Sequence, residues 1–322
     1  MLNAVQERPA RAAARPQARR RPGLLTRMRR SWWIYLFLLP TIVGYGLYTV
    51  YPLIASWWYA FLDWPSFADR GTFIGFDNFR RLVHDPLFWN AFKHSLLFIA
   101  IGVPLRVGLG LLVAIVLNQK ATKLKGLFRT LIFLPVVTTG AILGVVFTLI
   151  LDANGPINRT LVDLHLISHP IAFLANVHTS LYTGIGVWVW KWLGITMVYW
   201  LAALQTIPRS LYESAQLDGA SAWQEFRYIT LPGLKFFLII ITLIDTVAAF
   251  NVFDLLQTLT AGGPVYSSEV IEIFVYRTAF HATVPELGYA SAAAVIFGLT
   301  TLAFAAVQAI GIRAARKGMA TA

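Results

Sequence analysis

Glu213-Ser214-Ala215-Gln216-Leu217-Asp218-Gly219, continued through Ile229-Thr230-Leu231-Pro232, is a polar island between two long apolar segments. Its local signals are those of a helix, a turn and a second helix. Ser210 with Glu213 forms a capping-box pattern just after Pro208, and Ser221 with Gln224 repeats the pattern further on. Asp218-Gly219, between the two caps, is a strong turn dipeptide. Leu211 and Ala215 share a face of the first helix; Ala222, Phe226 and Ile229 share a face of the second, with Trp223 and Tyr228 beside them. Two readings fit this periodicity: a hairpin outside the bilayer that offers an apolar surface to another subunit, or a loop helix packed on its own chain.

The segments on either side set the class. With 322 residues, 57% of them hydrophobic and 13% charged, the chain is too apolar for a soluble domain of this size and is expected to be an all-α, polytopic membrane protein. Cysteine is absent, which excludes disulfides, thiolate metal sites and a cysteine nucleophile. The net charge of +12 does not point to nucleic acid, because most of the excess lies in the N-terminal tail and in short loops beside apolar segments. Residues 1–30, carrying Arg8, Arg11, Arg15, Arg19, Arg20, Arg21, Arg27, Arg29 and Arg30, are expected to form a disordered cytoplasmic tail beside anionic membrane lipid.

Apolar segments at 33–62, 92–117, 127–151, 181–204, 236–259 and 289–312 each reach the roughly 20 residues that a bilayer span requires, so six transmembrane helices are expected within a domain of residues 31–313. The first is too long for a signal-peptide core, and Trp57, Trp58 and Tyr59 near its far end suit an interfacial belt. Lys120, Lys123, Lys125 and Arg129 between spans two and three, and Arg313, Arg316 and Lys317 after span six, fall on the side of the N-terminus. Both termini, including a C-terminal tail of 314–322, are therefore expected in the cytoplasm of a multi-pass protein of the cell membrane. The hairpin loop of about 205–235 falls on the same side. Loops 63–90, 152–180 and 260–288 would cap the outer face. His165 and His169 are four apart, but Pro170 follows at once and no third ligand is evident, so a solvated loop is expected there and no metal site.

The spacing Glu-x-Ala, three residues, Gly, nine residues, Ile-x-Leu-Pro resembles the EAA loop of the membrane subunits of binding-protein-dependent ABC importers, with Ser214 where alanine is usual. Thr260-Ala261-Gly262-Gly263-Pro264, Val275-Tyr276 with Phe280, and Leu287-Gly288-Tyr289-Ala290-Ser291-Ala292 resemble the last outer loop and the entry to the last span of the sugar permease branch, relatives of the maltose and glycerol-3-phosphate permease subunits. Phe76-Asp77-Asn78-Phe79 with Phe88-Trp89, and Phe133-Leu134-Pro135 with Gly155-Pro156-Ile157-Asn158, fit the same pattern. The likeness covers about residues 34 to 312.

The resemblance implies the type I ABC importer permease architecture. It implies that the hairpin is a coupling helix docking in a cleft of a cytoplasmic ATPase subunit through Glu213, Ala215, Asp218, Gly219, Ile229, Leu231 and Pro232. Gly219 would stand at the turn, where a side chain would block close approach. The implied partners are a second homologous permease, two ATPase subunits and an extracytoplasmic solute-binding protein. ATP and Mg would be bound by the ATPases, and no cofactor is expected on this chain. It is not expected to be an enzyme, since the sequence has no Gly-x-x-x-x-Gly-Lys-Ser/Thr phosphate loop.

A transported sugar must exchange water for hydrogen-bonding side chains and aromatic faces, so polar residues in a span are functional candidates. In span five, Asn251 and Asp254 lie about 60° apart at about 100° per residue, with Val247 and Thr258 on the same stripe and Asp245 roughly 120° away. Phe253-Asp254 also resembles a Phe-Asp that recurs in the sugar permease branch. In span four, Trp188, Lys191, Trp192, Ile195 and Tyr199 share one side, and the Lys191 ammonium is too deep for lipid. Trp188, Lys191, Tyr199, Asn251 and Asp254 are thus candidates for the substrate pathway. The alternatives are helix packing for the aromatics, and interhelical hydrogen bonds or ion pairs for Lys191, Asn251 and Asp254.

The function expected is that of a permease for a carbohydrate. A polyol phosphate, with Lys191 as an added cationic contact, is the alternative within the family. A self-contained secondary transporter would require ionisable pairs repeated in two inverted halves, and no such symmetry is visible.

Overall fold

The structure is a computed structural model that describes residues 32–65, 70–119 and 124–320, with side chains as far as Arg313. The basic tail of 1–30, Lys120, Lys123 and the side chains of Arg316 and Lys317 lie outside the described residues. Residue contacts divide the chain into a unit ending at Ile54 and a second from Ala55 onward. In the first, α1 (Trp32–Tyr45) passes through a π turn at Gly46–Val50 into α2 (Tyr51–Tyr59). None of its described side chains up to Ile54 is buried, and the apolar residues go all round the helix, the pattern of a segment surrounded by lipid or by other protein.

The second unit takes in the end of α2 and a two-residue antiparallel pair, β1 (Leu62–Asp63) with β2 (Thr72–Phe73). Then follow α3 (Asp77–Val83), α4 (Pro86–Asn118), α5 (Lys125–Val137), α6 (Gly140–Ile150), α7 (Pro156–Asp163), α8 (Ser180–Leu204), α9 (Arg209–Leu217) and α10 (Ala222–Glu225). A π turn at Phe226–Thr230 joins α10 to α11 (Leu231–Ala249), and α12 (Phe253–Leu259), α13 (Ile271–Tyr276) and α14 (Leu287–Ala320) complete the chain. The all-α expectation holds. Among the described residues, five helices are long and apolar enough to span a membrane, and α5 with α6 makes a sixth if the bent pair counts as one span. The helix α8 is central: it packs along α4, α5 and α11, and Trp188, Met197 and Trp200 are buried there.

Two expected spans are broken. The segment 127–151 is not one helix but α5 and α6, bent by 103°. Pro135 removes an amide donor in the last turn of α5, and Val136-Val137-Thr138-Thr139 is a β-branched run with low helix propensity. Thr138 and Thr139 are extended, and the Thr139 hydroxyl accepts the Ile142 N–H to start α6 afresh. The segment 236–259 stops at Ala249, and α12 begins only at Phe253. The second halves, α6 and α12, pack on each other so closely that a Cβ on Gly144 would run into the Thr258 side chain and the Leu255 carbonyl.

Several of the motifs singled out in the sequence pin the loops of 63–90, 152–180 and 260–288. Buried Asn78 donates to the Ala60 and Leu62 carbonyls, and buried Asn158 bridges Asp152 and Ile171. The Ser268 hydroxyl donates to Thr260 and to the Gly263 carbonyl, and the Tyr289 hydroxyl donates to Asp85 at 2.7 Å.

Candidate functional site

The hairpin is built largely as its turn signals require. The helix α9 ends in a Schellman motif: the Gly219 N–H donates to the Gln216 carbonyl at 3.1 Å and the Ala220 N–H to the Ala215 carbonyl at 2.9 Å. Gly219 has φ of +80°, a left-handed conformation that favours glycine, and a Cβ there would meet nothing within 4 Å. Its need is therefore conformational within the chain. Ser221 and Gln224 form the expected capping box. Ser210 and Glu213 do not: α9 starts at Arg209 after Pro208, two residues before the position a Ser210 cap would set, and has no side-chain cap. Pro208 fixes its own φ, −59°, at the entry to the helix.

The hairpin does not hide its apolar residues. Leu217 is 90% exposed, Trp223 68% and Tyr228 74%, so these three side chains are not packed on the chain itself, whereas Tyr212 and Ile229 pack against its core. Glu213, Asp218, Gly219 and Pro232 are exposed, and Ala215, Ile229 and Leu231 are half-buried. A hydrogen bond of 2.9 Å between the Tyr212 and Thr230 hydroxyls ties the two arms together. A polar hollow of about 480 Å³ beside α9 is lined by Asn118, Gln119, Gln205, Arg209, Glu213 and Gln216.

Between the membrane helices lies a buried ion pair that the sequence reading missed. Arg106 on α4 is 2% exposed and donates from Nη2 to Asp245 Oδ1 on α11 at 2.7 Å, and from Nε to Thr196 Oγ1 on α8 at 2.8 Å. The Thr196 hydroxyl donates to Asp245 Oδ2 at 3.1 Å. The guanidinium lies over the Trp188 ring, 4.8 Å from its centre. The signal was present: an arginine in the middle of span two must have a partner, and Asp245, off the Asn251 stripe, is that partner.

Span four is therefore a packing face. Trp188 is buried against Phe98, and Tyr199 packs at the margin of the core. Lys191, 3% exposed, donates to the Thr138 carbonyl at 2.7 Å and lies over Trp192. That carbonyl is left free where α5 ends, so the ammonium satisfies a broken helix terminus. Lys191→Met should leave this acceptor unpaired and lower stability by about 1–3 kcal/mol. Thermal unfolding of the purified chain in detergent would measure this, with Lys191→Arg expected to retain part of the loss.

Asn251 and Asp254 do meet at a cavity, by a different geometry from the one expected. They do not share a continuous helix, because Phe250–Val252 interrupts it; Asn251 stands in the break and Asp254 in the first turn of α12. Val247 and Thr258 accordingly fall outside the group. A carboxylate far along the chain holds the break: Glu272 Oε2 on α13 accepts the Val252 N–H at 2.8 Å. Burial pushes the Glu272 carboxyl up to about 7, against the opposing pull of the Val252 and Phe253 N–H groups. The resulting cleft, about 480 Å³, is lined by Asn251, Phe253, Asp254, Glu272, Tyr276 and Phe280 among others. Trp188, Lys191 and Tyr199 are not in its lining.

Among the described residues, five membrane-length helices with a bent pair that makes a sixth, a buried charge pair between three of the helices and an exposed hairpin define a polytopic helical membrane protein. Residues 106–317 match the family described as the binding-protein-dependent transport system inner membrane component, and the chain belongs to that family. It is 31% identical over 279 residues to the lactose transport system permease protein LacF of Rhizobium radiobacter, spanning 85% of this chain and 92% of that one. It is 28% identical to the sn-glycerol-3-phosphate transport system permease protein UgpA of Pectobacterium atrosepticum, over 87% and 94% of the two chains. Among solved structures it is similar to a bacterial ABC transporter involved in the import of the acidic polysaccharide alginate, with 25% identity, a TM-score of 0.77 and coverage of 90% of this chain and 98% of that one.

Proposed function

We propose that this chain forms half of the membrane pathway of an ATP-driven carbohydrate importer and that its hairpin passes the force of ATP hydrolysis to the spans. The observation that carries this reading is the exposed hairpin closed by Gly219, in a chain similar to a lactose permease over most of its length. Hydrolysis and the binding of ATP and Mg are assigned to two separate cytoplasmic ATPase subunits, which dock on Leu217, Trp223 and Tyr228 around the turn. A second, homologous permease completes the passage, and a solute-binding protein delivers the sugar from outside. Both termini lie in the cytoplasm, as the basic loops favour. A sugar moving inward meets Asn251 and Asp254 in the cleft at the broken span. The polyol phosphate alternative loses its main support, since Lys191 is already held by Thr138 and Trp192.

The test is affinity purification of the chain from its native membranes, followed by identification of what accompanies it. An ATPase subunit and a second permease are expected. A chain that purifies alone would reopen the secondary-transporter reading. Asn251→Ala and Asp254→Ala should each lower uptake of the cognate saccharide about tenfold with assembly intact, the effect of losing one or two hydrogen bonds to a ligand. Normal uptake in both would remove the cleft from the pathway.

A further inference from the structure

The cleft at the broken fifth span has a charge character as well as a shape. Two carboxylates line it, Asp254 from α12 and Glu272 from α13, and neither lysine nor arginine does. The Val252 N–H donates to Glu272 Oε2 at 2.8 Å and holds the carboxylate at the cleft. Asp254 is exposed to the space. Arg277, next to Tyr276 in the chain, donates to Glu269 at 2.7 Å and so is engaged elsewhere.

The rest of the lining suits a sugar ring. Tyr276 meets Phe253 edge to face with ring centres 5.0 Å apart, and Phe280 lies 5.7 Å from Tyr276, giving apolar faces against which pyranose C–H groups pack. The Asn251 amide adds a donor and an acceptor. The volume of about 480 Å³ falls in the range of small-ligand sites. Among the described residues the lining of the cleft holds no cation of the kind that recognises phosphate or carboxylate, the fork of an arginine or the point charge of a lysine.

We propose that this cleft admits neutral or amino-bearing saccharides and turns away anionic ones, uronates and sugar or polyol phosphates alike. The proposal rests on the carbohydrate reading given above and adds a charge filter to it. An anion entering the cleft would be repelled by the like charge of Asp254 and Glu272, while a protonated amine would gain from the same field. The filter separates this chain from the alginate importer whose fold it shares, since the cargo named for that transporter is acidic.

The test is saturation-transfer NMR on the complex isolated from native membranes without its soluble binding protein, at pH 8, because burial raises the Glu272 carboxyl to about 7. The probes are maltotriose, the trimer of glucosamine, trigalacturonate and glycerol 3-phosphate. Maltotriose and the glucosamine trimer are expected to bind at least about tenfold more tightly than the two anions, a modest effect for like charges brought together at a binding surface. In Asp254→Asn/Glu272→Gln, and to a lesser degree in Asp254→Asn alone, the preference for the glucosamine trimer over trigalacturonate should fall about tenfold by the same reasoning. Trigalacturonate binding as tightly as maltotriose, or a preference unchanged in both variants, would overturn the charge filter and leave the carbohydrate reading standing. Binding of no saccharide of any charge would bring down both.

Discussion

Arg106→Leu alone is expected to destabilise the chain by about 3–5 kcal/mol, because it leaves Asp245 as an uncompensated charge between packed helices. Asp245 is 0% exposed, and with Arg106 gone only the Thr196 hydroxyl remains among its hydrogen-bond partners. Asp245→Leu should cost about as much for the converse reason, a guanidinium with nothing to neutralise it. The double variant Arg106→Leu/Asp245→Leu removes both charges, and its loss should be markedly smaller than the sum of the two. The pair joins α4, α8 and α11, three elements that otherwise meet mainly through apolar side chains. In lipid, apolar contact alone discriminates poorly between helix rotations, so a fixed polar triad sets which faces meet. Thermal unfolding of the four proteins in one detergent, by tryptophan fluorescence, closes the cycle. Losses that simply add would mean that the pair is not coupled and that Thr196 and Trp188 hold each charge separately.

What the sequence made legible and what it did not follow from the range of the interactions. The hairpin was legible because its determinants are local: Gly219 supplies the positive φ, Ser221 and Gln224 cap within three residues, and no distant group is needed. The spans were legible as apolar runs of bilayer length, yet hydropathy does not register backbone direction, so α5 and α6 read as one segment despite Pro135 and the two threonines. The break before α12 was harder still. Asn251 permits it, but the Glu272 carboxylate that stabilises it comes from 20 residues downstream of Val252. Helical spacing brought Asn251 and Asp254 together for a reason that does not hold, and the fold brings them together through the break. Lys191 was rightly singled out as too deep for lipid, but its partner is a backbone carbonyl freed by a bend that composition alone does not reveal.

Gly219→Trp is expected to abolish association with the ATPase, by about a hundredfold or more in recovered subunit, while insertion and the packing of α4, α8 and α11 persist. Losing one well-packed anchor at the centre of an interface has an effect of that size. The location explains why the damage should be confined. Within the chain a Cβ at this position meets nothing within 4 Å, so the fold gains no clash; the cost inside the chain is the strain of a bulky residue at a φ of +80°, about 1–2 kcal/mol.

Gly219→Asn separates that strain from occlusion of the docking face. Asparagine tolerates the left-handed conformation, so it keeps the turn but still projects a side chain from a tip where Leu217 and Trp223 stand exposed. If the tip enters a closely fitted cleft, asparagine should also weaken ATPase recovery, by roughly tenfold. If only the turn matters, asparagine will behave as glycine and tryptophan alone will fail. Undiminished recovery with both variants would mean that the exposed hairpin is not the surface on which the ATPase docks, and that the force enters the membrane helices elsewhere.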